Sequence, residues 1–204
     1  MEEIDNQNKV IFLGDAYVGK TNLIKVSIGK PFDPNYETTL NTSYVSKYFI
    51  YNNINYTFNL WDTIGSEKYR ALTKLFFKGA IIVILVYDIT SEDSFKSLDY
   101  WIKEVKQELG EDPMLAIVGN KCDLINEEQV SLKEGKMYAQ NNNAKFKLTS
   151  AKDNPLGVHE FLEELFKDYI TKNKEIDKKS SKQSKGINLN KKKQKKNSKK
   201  QNCC

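Results

Sequence analysis

Residues 14–21 read GDAYVGKT. They fit the pattern G-x-x-x-x-G-K-[ST] and follow directly on the apolar run Val10–Leu13. A stretch with helical character, NLIKVSI (22–28), comes next. A strand, a glycine-rich loop and a helix in that order make a phosphate cradle. The loop N–H groups converge on anionic oxygens, and the positive end of the following helix faces the same point. Lys20 then sets an ammonium between terminal phosphates, and the Thr21 hydroxyl can ligate Mg²⁺. The bare pattern recurs by chance. The flanking strand and helix are what give it weight.

Three further elements follow in order. LWDTIG (60–65) ends an apolar run in Asp62, where an acid is costly without a partner, and a hydrated Mg²⁺ beside a triphosphate is such a partner. GNKCDL (119–124) and TSAK (149–152) end or follow two more runs. The carboxylate of Asp123 can accept from the paired N–H donors of guanine, which adenine lacks. The stem of Lys121 can cover the base, and the N–H near Ala151 can meet the guanine O6. All four elements lie where open α/β sheets bind ligands, at carboxyl ends of strands.

Outward from these motifs, KVIFLG, YVSKYFIY, INYTFNLWD, AIIVILVYD, MLAIVGN and KFKLTS read as strands. The first, fourth and fifth are almost continuously apolar, as in strands covered on both faces. SFKSLDYWIKEVKQEL (94–109) spaces Phe95, Leu98, Trp101, Ile102, Val105 and Leu109 as a helix does. SLKEGKMYAQNN begins with a Ser cap and has Glu three residues on. GVHEFLEELFKDYI repeats Phe161, Leu162, Leu165 and Ile170. The alternation predicts an α/β domain with a mostly parallel sheet and helices on both faces. YNNINY joins two strands directly and predicts one antiparallel hairpin.

The 204 residues suit one domain, 1–171, and an appendage, 172–204. Of 32 basic residues, 13 are lysines from Lys172 onward, against Glu175 and Asp177 alone. Residues 1–171 keep 19 basic and 25 acidic side chains, so the body is mildly acidic and the basic signal belongs to the tail. The tail's Lys, Asn, Gln and Ser predict disorder. No signal segment and no membrane-length apolar run occur, and the three cysteines, Cys122, Cys203 and Cys204, predict no disulfide framework.

On these motifs the chain resembles the Ras-superfamily small GTPases, and within them the Rab family, from about Lys9 to Ile170. SEKYRALT, FFKGA and YDITSEDSF are similar to stretches that set Rabs apart, and ETTLNTSY to Rabs of the early endocytic branch. The resemblance implies a P-loop small G domain with a six-stranded sheet, five strands parallel, and five helices. It implies GTP/GDP and Mg²⁺ as ligands, GTP hydrolysis, and a switch in vesicular membrane traffic. Nucleotide contacts carry over to Gly14, Asp15, Ala16, Tyr17, Val18, Gly19, Lys20, Thr21 and Asn22. They carry over also to Phe32, Tyr36, Thr39 and Gly65, and to Asn120, Lys121, Asp123, Ser150, Ala151 and Lys152. Mg²⁺ falls to Thr21, Thr39 and Asp62, and catalysis to Lys20, Thr39, Gly65 and Ser66. Loss of the γ-phosphate would release the two loops around Thr39 and Gly65.

The sequence also departs from the family. WDTIGSEK stands where WDTAGQE is usual, so Ser66 replaces the glutamine that orients the attacking water and Ile64 replaces an alanine. Ala16 is a milder change. Arg70 is the only arginine, and no finger in cis is visible. The resulting expectation is a slow intrinsic rate, with a TBC-type activator supplying what is missing. Its competitor is a GTP-loaded scaffold controlled by exchange and membrane extraction. An unrelated P-loop ATPase or kinase is opposed by Asp123 and Phe32.

Cys203 and Cys204 resemble the double geranylgeranylation signal of Rabs, which needs an escort protein. Two prenyl chains give the two signals that stable anchoring takes, and lysines near an anionic leaflet add to them. As a coil, the 33-residue tail would span roughly 30 Å. The implied place is the cytoplasmic face of an endosomal or vesicular membrane, cycling with cytosol through a GDP-dissociation inhibitor. Effectors and an exchange factor complete the implied partners. Nucleic acid is the weaker reading of the lysines, because no aromatics are interleaved and the body is acidic. Tyr44, Trp61 and Phe76 stand where Rab effectors often dock, with packing an equal reading. His159 reads as a surface or boundary residue, and Cys122 and Trp101 as packing.

Overall fold

The computed structural model describes residues 8–35, 39, 41–66 and 70–174. Contacts divide the chain into two units, Met1–Leu165 and Phe166–Cys204. The first holds the whole sheet, and the described part of the second, 166–174, is helical. The readings made for Tyr36, for most of the tail and for Cys203 and Cys204 lie outside the described residues.

The strands are β1 (Asn8–Leu13), β2 (Ser43–Tyr51), β3 (Ile54–Asp62), β4 (Ala80–Asp88), β5 (Met114–Asn120) and β6 (Lys145–Leu148). They form one sheet in the order β2-β3-β1-β4-β5-β6. All neighbouring pairs are parallel except β2 with β3. That exception is the expected hairpin. Its two turn residues, Asn52 and Asn53, have φ of 51° and 60°, the double left-handed conformation of a tight hairpin turn, which asparagine tolerates. The register runs from Tyr51 opposite Ile54 to Ser43 opposite Asp62.

The α-helices among the described residues are α1 (Lys20–Ser27), α2 (Arg70–Lys74), α3 (Glu92–Lys96), α4 (Leu98–Leu109), α5 (Leu132–Asn141) and α6 (155–174), and a 3-10 helix covers Cys122–Glu127. One layer of core packs Ile11, Leu13, Val83, Leu85 and Ile117 with Leu98, Trp101, Ile102 and Val105 of α4 and Ala139 of α5. Alternation sends Val10, Phe12, Ile82, Ile84 and Val86, all buried, to the other face, and α1 packs on β3. The pattern expected as one helix from Ser94 is two abutting helices. Ser91 caps the first by accepting from the Ser94 N–H, so it begins earlier, and Ser97 at the junction keeps right-handed helical dihedrals. The Ser131–Glu134 capping box forms as read, with bonds of 3.3 and 2.9 Å.

Edge strand β2 turns Lys47 inward, a device that discourages edge-to-edge pairing. The Lys47 Nζ donates to the Ser27 carbonyl at 2.7 Å and lies 2.9 Å from Nδ1 of His159. A charged Lys47 makes that nitrogen the acceptor, which leaves Nε2–H to donate to Glu163, 2.9 Å away. His159 is therefore a half-buried structural residue. Burial lowers the pKa of Lys47, and Glu163 opposes the shift.

Candidate functional site

Strand β1 lies where the strand order reverses, between β3 and β4, so its carboxyl end opens the crevice that such sheets use for ligands. Gly14 and Gly19 shape the loop there. Gly14 has φ of 140°, and a Cβ on it would lie 2.1 Å from the Val86 carbonyl oxygen. Gly19 has φ of 97°, and its Cβ would meet the Asn120 amide nitrogen at 2.3 Å. No side chain caps the first turn of α1, and no acid sits in it, so the N–H groups remain for an anion.

Lys20 is 5% exposed, with Nζ 2.8 Å from the Gly14 carbonyl and 2.7 Å from that of Asp15. Burial pulls its pKa down to about 8, against the opposing pull of Asp62 and Asp15. Gly65 packs on the same spot. A Cβ there would be 2.4 Å from the lysine Nζ and 2.5 Å from the Asp15 oxygen.

Beside Lys20, three oxygen-bearing side chains meet. Thr21 Oγ1 lies 2.9 Å from Thr39 Oγ1 and donates to Asp62 Oδ2 at 2.6 Å. Asp62 is 7% exposed, and its second oxygen, Oδ1, has no hydrogen-bond partner among the described residues. Burial raises its pKa, opposed by the Thr21 bond, Lys20 and Lys25. Among the described residues no group of three His, Cys, Asp or Glu forms a metal cluster. Two hydroxyls and a carboxylate with an orphaned oxygen do, however, fit a hard cation such as Mg²⁺.

Asn120, 2% exposed, knits the far end of the site to the phosphate loop. Its amide donates to the Val18 carbonyl at 2.9 Å, and its oxygen accepts from Thr149 at 3.2 Å and the Ala151 N–H at 3.4 Å. Asp123 accepts from the Ser150 hydroxyl at 2.6 Å, and that hydroxyl accepts from the Asp153 N–H. Lys121 has φ of 65° and pairs with Asp88 at 2.6 Å, which anchors its stem.

A cavity of about 440 Å³ joins the two ends. Of the expected site residues, Ala16, Tyr17, Gly19, Lys20, Thr21, Asn22, Phe32, Thr39, Gly65, Asn120, Lys121, Asp123, Ala151 and Lys152 line it. Gly14, Asp15, Val18, Asp62 and Ser150 stand behind that wall, bonded to or packed against lining residues. Ser66, half-buried, does not line it. Nor does Ile64, which is 7% exposed and whose carbonyl accepts from Thr73 Oγ1. Its bulk goes inward, off the cavity that the neighbouring Gly65 lines. Asp33, Pro34 and Leu124 line the cavity without having been singled out. Asn22 holds that first segment through reciprocal bonds to the Asp33 backbone, 2.9 and 3.1 Å. Adjacency to Phe32 and to Asp123 was the only signal for these three.

Away from the cavity, Tyr44 stacks on Trp61 at 5.0 Å, and Trp61 meets Phe76 at 5.9 Å. Tyr44, Leu72 and Leu75 are exposed. No helix among the described residues is long and apolar enough to cross a membrane.

Residues 9–171 match the model of the Ras family. The chain is 40% identical to human Ras-related protein Rab-22A over 157 residues, 77% of this chain and 80% of that protein. It is 38% identical to mouse Ras-related protein Rab-22A over the same length. With human Ras-related protein Rab-21 it shares 40% over 162 residues, 79% of this chain and 72% of the relative.

Proposed function

Because the chain belongs to the Ras family, as a Rab-type small GTPase of the early endocytic branch, we propose that it is a GTP/GDP switch that hydrolyses GTP slowly by itself and recruits effectors to an endosomal or vesicular membrane. The observation that carries the reading is the single cavity with Lys20 and the Thr21–Thr39–Asp62 corner at one end and Asp123 at the other. A guanine nucleotide spans those two chemistries, with phosphates on the loop and the N1–H/N2–H₂ edge on the carboxylate.

In this reading the loop N–H groups and Lys20 hold the phosphates, and Asn120 keeps the base end in register with them. Asp123, braced by Ser150, selects guanine, while Lys121 and Phe32 border the base. Thr21, Thr39 and Asp62 would hold Mg²⁺, which neutralises charge that develops on the phosphate oxygens. Thr39 and the Gly65 N–H would sense the terminal phosphate, because both line the cavity beside Lys20. Ser66 is too short, and lacks the amide, to fix an attacking water, so release depends on an activating protein of the TBC type. The aromatic surface of Tyr44, Trp61 and Phe76 would receive effectors, and Cys203 and Cys204 would carry the prenyl groups that hold the chain to membrane.

Two measurements test this. GDP and GTP should bind the purified chain far more tightly than ADP and ATP, and equal affinities would refute the guanine site. Single-turnover phosphate release from Ser66→Gln should exceed wild type by about a hundredfold, the lower end of what one positioned catalytic group contributes. Equal rates would refute the role given to Ser66.

A further inference from the structure

The phosphate loop contains an acid. Asp15 follows Gly14 directly, and its backbone carbonyl accepts from Lys20 Nζ at 2.7 Å. The same carbonyl is the atom against which Gly65 packs. The backbone of Asp15 therefore stands just behind the phosphate end of the cavity that Lys20 and Gly65 line, and, like that backbone, the Asp15 side chain takes no part in the lining. It extends to α4, where Oδ1 accepts from the indole N–H of Trp101 at 3.3 Å.

Trp101 is wholly buried and sits 86 residues from Asp15 in sequence. As a core filler it has substitutes, because phenylalanine or leucine would pack against the same strands. Neither has a donor. A buried indole N–H finds a partner as a rule, and here the partner is a carboxylate, which makes the bond charge-assisted and directional. The electrostatics give that direction a consequence. Two like charges a few ångströms apart repel strongly in a poorly solvated site. The Asp15 carboxylate is close enough to raise the pKa of Lys20. Swung to the other side of its own backbone, it would oppose an incoming phosphate and compete for the lysine.

We propose that Trp101 is a positioning residue for the nucleotide: its indole N–H holds the Asp15 carboxylate on the α4 side of the loop, away from the phosphates, and so keeps the Asp15 carbonyl on Lys20. The inference rests on the guanine-nucleotide reading of the cavity.

The test is a cycle of variants read by the release of a fluorescent GDP analogue. Trp101→Phe should speed release about tenfold, the effect of losing one bond of ordinary worth. In an Asp15→Ala background the same substitution should change release less than twofold, because no charge is left to restrain. Equal acceleration in both backgrounds would mean that the indole only fills space, and would overturn the proposal. So would an unchanged release rate in Trp101→Phe. A second measurement does not depend on that variant folding. In ¹⁵N-labelled protein, the Trp101 indole proton, distinguished from that of Trp61, should move upfield in Asp15→Ala. An unmoved resonance overturns the bond itself. Wild type that holds no GDP analogue would sink the nucleotide site, a different result from wild type and Trp101→Phe releasing it alike.

Discussion

Lys20 makes nucleotide affinity depend on pH in a direction that can be worked out. In the free protein, burial lowers its pKa from 10.5 to about 8, because two carbonyls and two nearby acids only partly replace lost water. A bound polyphosphate restores the charged form, so its pKa returns to 10.5 or above. Below pH 8 the lysine is charged both before and after binding, and affinity is flat. Above pH 8 the free protein loses the proton and must regain it to bind, so affinity falls about tenfold per unit up to pH 10.5. The full span corresponds to about 3 kcal/mol, on the order of a hundredfold or more in Kd. The free protein has the opposite dependence. Its charged, buried lysine costs stability below pH 8, and that cost fades as pH rises from about 8 to 10.5. Calorimetry of GDP binding at pH 9, in buffers of different ionisation enthalpy, should show uptake of about 0.9 proton by this side chain. Lys20→Arg is the control, because its guanidinium stays charged and any uptake that remains belongs to the nucleotide. Equal uptake by wild type and Lys20→Arg, or a wild-type Kd unchanged from pH 8 to 9.5 once the nucleotide's own part is subtracted, would refute the reasoning.

Tyr87 is wholly buried and its hydroxyl has no hydrogen-bond partner among the described residues, so Tyr87→Phe should stabilise the protein by about 1 kcal/mol. That is roughly 2–4 °C in thermal unfolding at a fixed excess of nucleotide, and a loss of the same size would show that the hydroxyl is satisfied. Asp62→Asn removes a buried charge whose Oδ1 has no partner among the described residues, so the fold should be retained while the metal corner fails. A chelator should hasten nucleotide release from wild type at least about tenfold more than from this variant, the usual cost of a lost metal ligand or its support. An equal chelator effect on both would remove Asp62 from the metal site.

Much of this was legible from local pattern. The phosphate loop is a run of eight residues whose two shaping glycines stand at positive φ, and the buried strands are continuous apolar runs. The Asn52–Asn53 turn and the Ser131–Glu134 box are likewise short-range chemistry. What escaped was long-range. Nothing near Trp101 announces a partner 86 residues away, and nothing near Lys47 announces His159, 112 residues on. Asp33 and Pro34 join the cavity because Asn22 pins their segment from α1, a contact that no spacing rule encodes. Ser97 interrupts a helical pattern whose apolar spacing continues across it, so periodicity alone could not find the junction.

The two departures around Gly65 turn out to be separable. Ile64 replaces a small residue, yet its side chain is buried away from the cavity, and Thr73 bonds its carbonyl from the α2 side. Just before it, Thr63 Oγ1 donates to the Phe12 carbonyl at 2.6 Å, tying the same backbone to β1. The chain is thus fixed from the core on the N-terminal side of Gly65 by bonds that do not involve residue 66. Gly65 in turn has no room for a Cβ against Lys20 and Asp15. A longer side chain at position 66 therefore changes reach toward the cavity and leaves the backbone that carries it where it is. Gain of hydrolysis in Ser66→Gln would report that reach, and the extra bulk of Ile64 would have no part in it.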